Sequence, residues 1–177
     1  MSGNKDKLIR CFAPLASKNP KVLVLSTMPG GAALRKKEYY GYEHNAFWKI
    51  IFDIFDVPFS SDYKVRKNLL KSNFVALWDT IASCERQGSS DTAIKNIIYN
   101  DIESFLKKHE SIRAVFLNSK FAHKIFLKAV KGSINPQVLV MPSTSPANTV
   151  KYEKKLRQWL AIKEFLDRKL LKSQAFC

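Results

Sequence analysis

The side chains and turns best suited to chemistry lie between Ser26 and Trp48. The apolar run Val22-Leu23-Val24-Leu25 ends in Ser26-Thr27-Met28-Pro29-Gly30-Gly31. A buried strand that stops at a Pro-Gly-Gly turn brings backbone amides to the carboxyl edge of a sheet, where α/β proteins bind ligands. About ten residues later comes Tyr39-Tyr40-Gly41-Tyr42-Glu43-His44-Asn45-Ala46-Phe47-Trp48. Its aromatic rings can stack on a flat ring, and the carboxamide of Asn45 offers a donor and an acceptor to the edge of that ring. The pattern implies a nucleobase pocket. A second polar stretch, Pro142-Ser143-Thr144-Ser145-Pro146-Ala147-Asn148, is a stiff loop whose hydroxyls and amides suit phosphates. It also reads as a capped turn before a helix. No nucleophilic triad is evident: Cys84 precedes Glu85, and His44, His109 and His123 have no clear partners. Neither a phosphate-loop lysine motif nor metal-ligand spacing occurs. The reaction implied is one that needs little covalent chemistry from the protein, and no metal or other cofactor is expected.

Parallel strands can bring such distant segments to one edge. Val22–Leu25, Phe74–Leu77, Ala114–Leu117 and Val138–Met141 are short and continuously apolar, as strands covered on both faces are. Helical periodicity predicts helices over Ala46–Phe55, Asp101–His109 and Lys120–Val130, and one long helix over Val150–Leu171 on a stripe of Leu156, Leu160, Lys163 and Leu166. The alternation predicts an α/β fold: a three-layer αβα sandwich around a central, mainly parallel four-stranded sheet. All 177 residues fit a single domain, with loose tails at about 1–8 and 173–177.

Thirty Lys and Arg against fifteen Asp and Glu give a net charge of +15. Such an excess points to a polyanionic partner. On the last predicted helix Lys151, Lys154, Lys155, Arg157, Lys163, Arg168, Lys169 and Lys172 outnumber Glu153, Glu164 and Asp167. No apolar stretch approaches the roughly 20 residues of a membrane span, and the amino terminus lacks a signal-peptide core. The three scattered cysteines, Cys11, Cys84 and Cys177, fit free thiols in a reducing compartment: cytoplasmic, nucleoid-associated, or nuclear in a eukaryote.

Met28-Pro29-Gly30, Tyr39-Tyr40 and Asn45-Ala46-Phe47-Trp48 resemble the first motif region of the uracil-DNA glycosylase superfamily, most closely its hypoxanthine-DNA (DNA-deoxyinosine) glycosylase branch. Ala76-Leu77-Trp78-Asp79, Ala82-Ser83-Cys84-Glu85-Arg86, Gly88-Ser89 with Asp91, and Pro142–Asn148 are similar to that branch too. The resemblance spans about Val22 to Trp159. It implies a monofunctional enzyme that hydrolyses the N-glycosidic bond of a deaminated base everted from DNA, a chemistry that a monomer suits. Hypoxanthine is the first expected base, with uracil or xanthine as others. Met28 stands where much of the superfamily carries an Asn or Asp that handles water, and the resemblance to this branch implies that the catalytic Asn comes from the later motif, which maps onto Asn45. Tyr40 falls where related mismatch-specific enzymes stack a ring on the everted base. The chain departs from the family at Ser26, commonly Gly, and at Tyr42-Glu43-His44, commonly His-Pro-Arg.

The expected base contacts are Thr27, Met28, Pro29, Gly30, Gly31, Tyr40 and Asn118. The expected DNA contacts are Ser143, Thr144, Ser145, Asn148, Arg86 and Lys120. Asn45 is equally well placed to cap the helix that follows it. Arg86 fits a phosphate contact or an exposed salt bridge, Asp91 the cap of a short helix, and Asp79 a strand-end carboxylate or an acid–base group. A protein that keeps the fold and binds nucleic acid with little catalysis is the competing expectation, because of Tyr42-Glu43-His44.

Overall fold

The computed structural model describes residues 8–167. In chain order the elements are β1 (Leu8–Arg10), β2 (Val22–Ser26), α1 (Gly31–Lys36), α2 (Phe47–Ile54), α3 (Tyr63–Ser72), β3 (Val75–Asp79), β4 (Ile81–Glu85), β5 (Lys95–Tyr99), α4 (Ile102–Lys108), β6 (Ala114–Leu117), α5 (Lys120–Ala129), β7 (Gln137–Val140), α6 (Tyr152–Trp159) and α7 (Ala161–Asp167). Four of the strands form one sheet in the order β3-β2-β6-β7. Every pairing in it is parallel, with Leu25 level with Trp78 and Leu117, and Leu117 level with Val140. The residues just past these strands therefore lie along one edge.

The expected sandwich is present. β2 and β6 are buried along their whole apolar length because both faces are covered. On one face Val22, Val24, Ala114 and Phe116 pack with Phe47, Ile51, Trp159 and Phe165 from α2, α6 and α7. On the other, Leu23, Leu25, Val115 and Leu117 meet Ile102, Phe105, Ala122 and Phe126 from α4 and α5.

A second sheet, antiparallel and ordered β1-β4-β5, was not expected. β4 starts one residue after β3 ends, and β5 is half exposed and carries Lys95 and Asn96, so neither makes a continuous apolar run. The second strand of the sequence reading begins at Val75 rather than Phe74, whose φ of 57° takes it out of extended geometry. The fourth is shifted by one residue, to Gln137–Val140. The long terminal helix is two helices that meet at Leu160. Their buried stripe is Lys155, Trp159, Ile162 and Phe165, offset from the predicted one. Leu8 belongs to β1, not to a loose tail; the tails over 1–7 and 173–177, Cys177, and the basic residues Arg168, Lys169 and Lys172 lie outside the described residues.

Candidate active site

The carboxyl ends of β2, β3, β6 and β7 open onto a cleft of about 800 Å³. Thr27, Met28, Pro29, Gly30, Gly31, Tyr40, Asn45, Asn118, Ser143, Thr144, Ser145 and Asn148 all line it. Segments more than a hundred residues apart thus converge, because each follows a parallel strand or packs against one.

The turn after β2 contributes mainly backbone. The Met28 side chain points into an apolar cluster with Ile9, Ile81, Cys84 and Ile125. The amide of Gly31 is already taken by Ser89 Oγ at 2.9 Å, whereas those of Met28 and Gly30 make no hydrogen bond among the described residues. Thr27 donates through Oγ1 to Asp91 Oδ1 at 3.1 Å.

The aromatic segment folds back over this turn. Gly41 allows the approach, since a Cβ there would stand 3.1 Å from Ala33 Cα. Tyr39 is core: its hydroxyl donates to Ala13 O, and its carbonyl accepts from Trp48 Nε1. Tyr40 adopts a left-handed φ of 51°. One face of its ring is covered by Phe47, with centroids 3.9 Å apart. Its hydroxyl accepts from Asn118 Nδ2 at 2.8 Å, and burial raises its pKa well above the ordinary tyrosine value. Any base stacked on Tyr40 uses the opposite face.

Asn45 does two jobs at once. Its Oδ1 accepts from Phe47 N at 3.0 Å and so satisfies one of the open donors at the start of α2. Its Nδ2 has no partner among the described residues, and the side chain lines the cleft. The next amide, Ala46 N, donates to Thr144 O at 3.0 Å, which ties this segment to the loop after β7. Of the residues that depart from the family pattern, Glu43 and His44 pair with each other in solvent, 75% and 67% exposed, and neither lines the cleft.

Asn118 and Thr144 form a brace rather than an open contact surface. Asn118 Nδ2 donates to both Tyr40 Oη and Thr144 Oγ1, and its Oδ1 accepts from Thr144 N. Thr144 is fully buried. The other loop groups are partly engaged too: Ser143 Oγ accepts from Ser145 N, and Asn148 Nδ2 donates to Ser143 O. Lys155, buried on α6, donates through Nζ to Asn148 O at 2.8 Å and Ser145 O at 3.4 Å. Lys155 looked like one of a row of surface cations in the sequence.

Arg86 also differs from expectation. It is 3% exposed and donates through Nε to Gly88 O and through Nη2 to Pro29 O, while its buried Nη1 has no hydrogen-bond partner among the described residues. It struts the loops beneath the cleft and faces no phosphate. Lys120 is exposed at the start of α5 but does not line the cleft.

Two carboxyls stand in this otherwise basic protein's cleft. Asp79, fully buried at the end of β3, accepts from Ser26 Oγ through Oδ1, while Oδ2 has no partner. Burial pushes its pKa up to about 7, against the opposing pull of the Ser26 hydrogen bond and the Arg86 charge. Asp91, expected only to cap a short helix, is raised by burial as well; the cap of that 3-10 turn is Ser90. The signal for Asp79 was its position, the polar residue that ends an apolar strand, as Ser26 does. Nothing local marked Asp91.

Sequence and structure comparisons place this fold and its cleft beside known proteins. The family model of the uracil DNA glycosylase superfamily matches residues 13–167. A hypoxanthine DNA glycosylase of Methanosarcina barkeri is 27% identical over 149 residues, which is 84% of this chain and 93% of the relative. One from Methanosarcina acetivorans is 26% identical over 154 residues, 86% of this chain and 96% of the relative. The solution NMR structure of a candidate uracil DNA glycosylase from Methanosarcina acetivorans superposes with a TM-score of 0.77 at 25% identity, covering 91% of this chain and 99% of that one. With the match running through nearly every element that builds the cleft, the chain belongs to the uracil DNA glycosylase superfamily.

Proposed function

We propose that this DNA glycosylase everts a deaminated base, hypoxanthine first, and hydrolyses its N-glycosidic bond. The observation that carries the reading is the unpartnered Nδ2 of Asn45, held in the same cleft as the open amides of Met28 and Gly30 and the ring of Tyr40. The relatives named hypoxanthine DNA glycosylases support that choice of base.

Extruding a base costs a few kcal/mol, least at a mispair, and the stacking surface of Tyr40 offsets part of it. As the bond breaks, negative charge builds on the leaving base. The amides of Met28 and Gly30 and the Nδ2 of Asn45 are donors already oriented for that charge. Because Oδ1 of Asn45 is committed to capping α2, the amide nitrogen is the working end of this residue. The sugar becomes oxocarbenium-like, and the carboxylate of Asp79, buried at the end of β3 beneath the cleft, opposes its positive charge. DNA is held by the Ser143–Asn148 loop and by the general basic surface. Arg86 and Asn118 act through the residues they hold: Arg86 supports the Pro29 turn, and Asn118 fixes Tyr40 and Thr144.

Labelled duplexes with inosine, uracil or xanthine, incubated with the protein and then treated with alkali, test the reading. Breaks at inosine are expected. Binding of all three duplexes without breaks would replace the reading by a non-catalytic DNA-binding one.

A further inference from the structure

Beyond Asn45 and Tyr40, away from the sheet edge, lies a second groove of about 330 Å³. It shares Tyr40, Tyr42 and Asn45 with the cleft as a common wall. Its outer parts are Phe59, Arg66 and Lys49. We propose that this groove is a second nucleotide subsite, which takes an unpaired base next in the strand to the everted one and grips its phosphate. The proposal rests on the nucleic-acid reading above and extends it to a base that undergoes no chemistry.

The composition of the groove specifies the occupant. Phe59 and Tyr42 are 56% and 47% exposed, a large apolar area to leave in water. Phe59 is held in place by Phe52, with centroids 5.3 Å apart, so its exposed part is a fixed apolar surface. The Arg66 guanidinium lies 5.3 Å from the Phe59 ring centre and 5.5 Å from that of Trp48, and its Nε donates to Ser60 O. No carboxylate among the described residues is within ion-pair distance of it. Lys49 sits over the Tyr152 ring. The two acids of the groove are engaged, Asp53 by the Tyr152 hydroxyl and Glu43 by His44. Aromatic groups beside cations that have no close carboxylate ion pair are the combination that holds single-stranded nucleic acid without reading its sequence. The volume is at the low end for small-ligand sites, so it admits one base with its sugar. Because the groove and the cleft share Tyr40, Tyr42 and Asn45, the proposal places consecutive nucleotides in them.

The test uses wild-type protein and single-stranded oligonucleotides with one 2′-fluoro-deoxyinosine, whose fluorine blocks cleavage by destabilising a cationic sugar. One probe has ordinary bases on both sides. Two others carry a tetrahydrofuran abasic residue on the 5′ or the 3′ side. Anisotropy titration of wild type should give about tenfold weaker binding for one of the two abasic-flanked probes, the loss expected for one stacked base. Phe59→Ala should bind the intact probe about tenfold more weakly and no longer distinguish the probes. Arg66→Gln should weaken all three and flatten the salt dependence. Equal binding of all probes by wild type, or full discrimination retained in Phe59→Ala, overturns the subsite. Excision of ordinary inosine is measured in parallel: its absence beside intact discrimination would count against the glycosylase reading alone.

Discussion

At the scale of single residues, the site depends on groups that have a structural and a chemical duty at once. Asn45, one residue before the N-cap Ala46, holds the first amide of α2 through Oδ1, and its Nδ2 faces the cleft lining without a partner among the described residues. Asn45→Ala loses both duties, and its stability should fall by about 1 kcal/mol, the usual value of an N-cap. Asn45→Asp keeps an acceptor for Phe47 N and should stay within about 0.5 kcal/mol of wild type in urea denaturation. Asp79 allows a prediction with a definite sign. Its folded pKa, up at about 7, exceeds that of an unfolded aspartate, so the folded state holds the extra proton and stability declines as pH rises through that range. Asp79→Asn should therefore stabilise the protein at pH 8, by up to about 4 kcal/mol, and the gain should shrink toward pH 4. Thermal melts across that range check it; a gain that does not depend on pH would show that the carboxyl is not buried as described. If the carboxylate is the active form, excision by wild type rises between pH 6 and 8 and that rise is missing in Asp79→Asn. Residue types at strand ends made Asn45, Tyr40 and the two loops legible in the sequence. The burial of Arg86, Asp79 and Lys155 was not legible, because a charged residue looks alike in sequence whether it is solvated or buried on backbone carbonyls.

At the scale of elements, α6 has a task the sequence concealed. Lys155 Nζ and Trp159 Nε1 both reach carbonyls of the Pro142–Asn148 loop. The loop is held from below by a helix rather than stiffened by its prolines alone. Lys155→Met keeps the side chain's bulk but leaves those carbonyls without their donor. DNA binding should weaken about tenfold while far-ultraviolet circular dichroism stays unchanged, and unaltered affinity would detach Lys155 from the loop's function. The same scale explains which elements could be foreseen. β2, β3 and β6 carry apolar runs because both faces of the sheet are covered there, whereas β7, at the edge, is only half buried. The small antiparallel sheet offers only short, half-exposed strands with an irregular register between β4 and β5. α3 is Lys-rich, with Leu70 its one fully buried position, so its apolar stripe is too thin to stand out. The break at Leu160 has no Pro or Gly to announce it.

At the scale of the whole molecule, a net charge of +15 surrounds a cleft that contains two carboxyls. On the proposed reading the surface suits phosphates, and the floor suits an uncharged base or a cationic sugar. The logarithm of the DNA association constant should fall against the logarithm of salt concentration with a slope of about −4 or steeper, since each phosphate contact contributes about −0.9. A slope near −1 would mean that the charge excess lies away from the DNA.

The convergence of the Asn45 amide with the turn after β2 is tested most directly by single-turnover excision of an inosine-containing duplex, wild type against Asn45→Asp, at saturating enzyme. The substitution removes the N–H donor and keeps the cap. Wild type should cleave, and Asn45→Asp should be slower by about a hundredfold or more with its affinity for DNA within threefold. Equal rates for the two proteins would contradict the account.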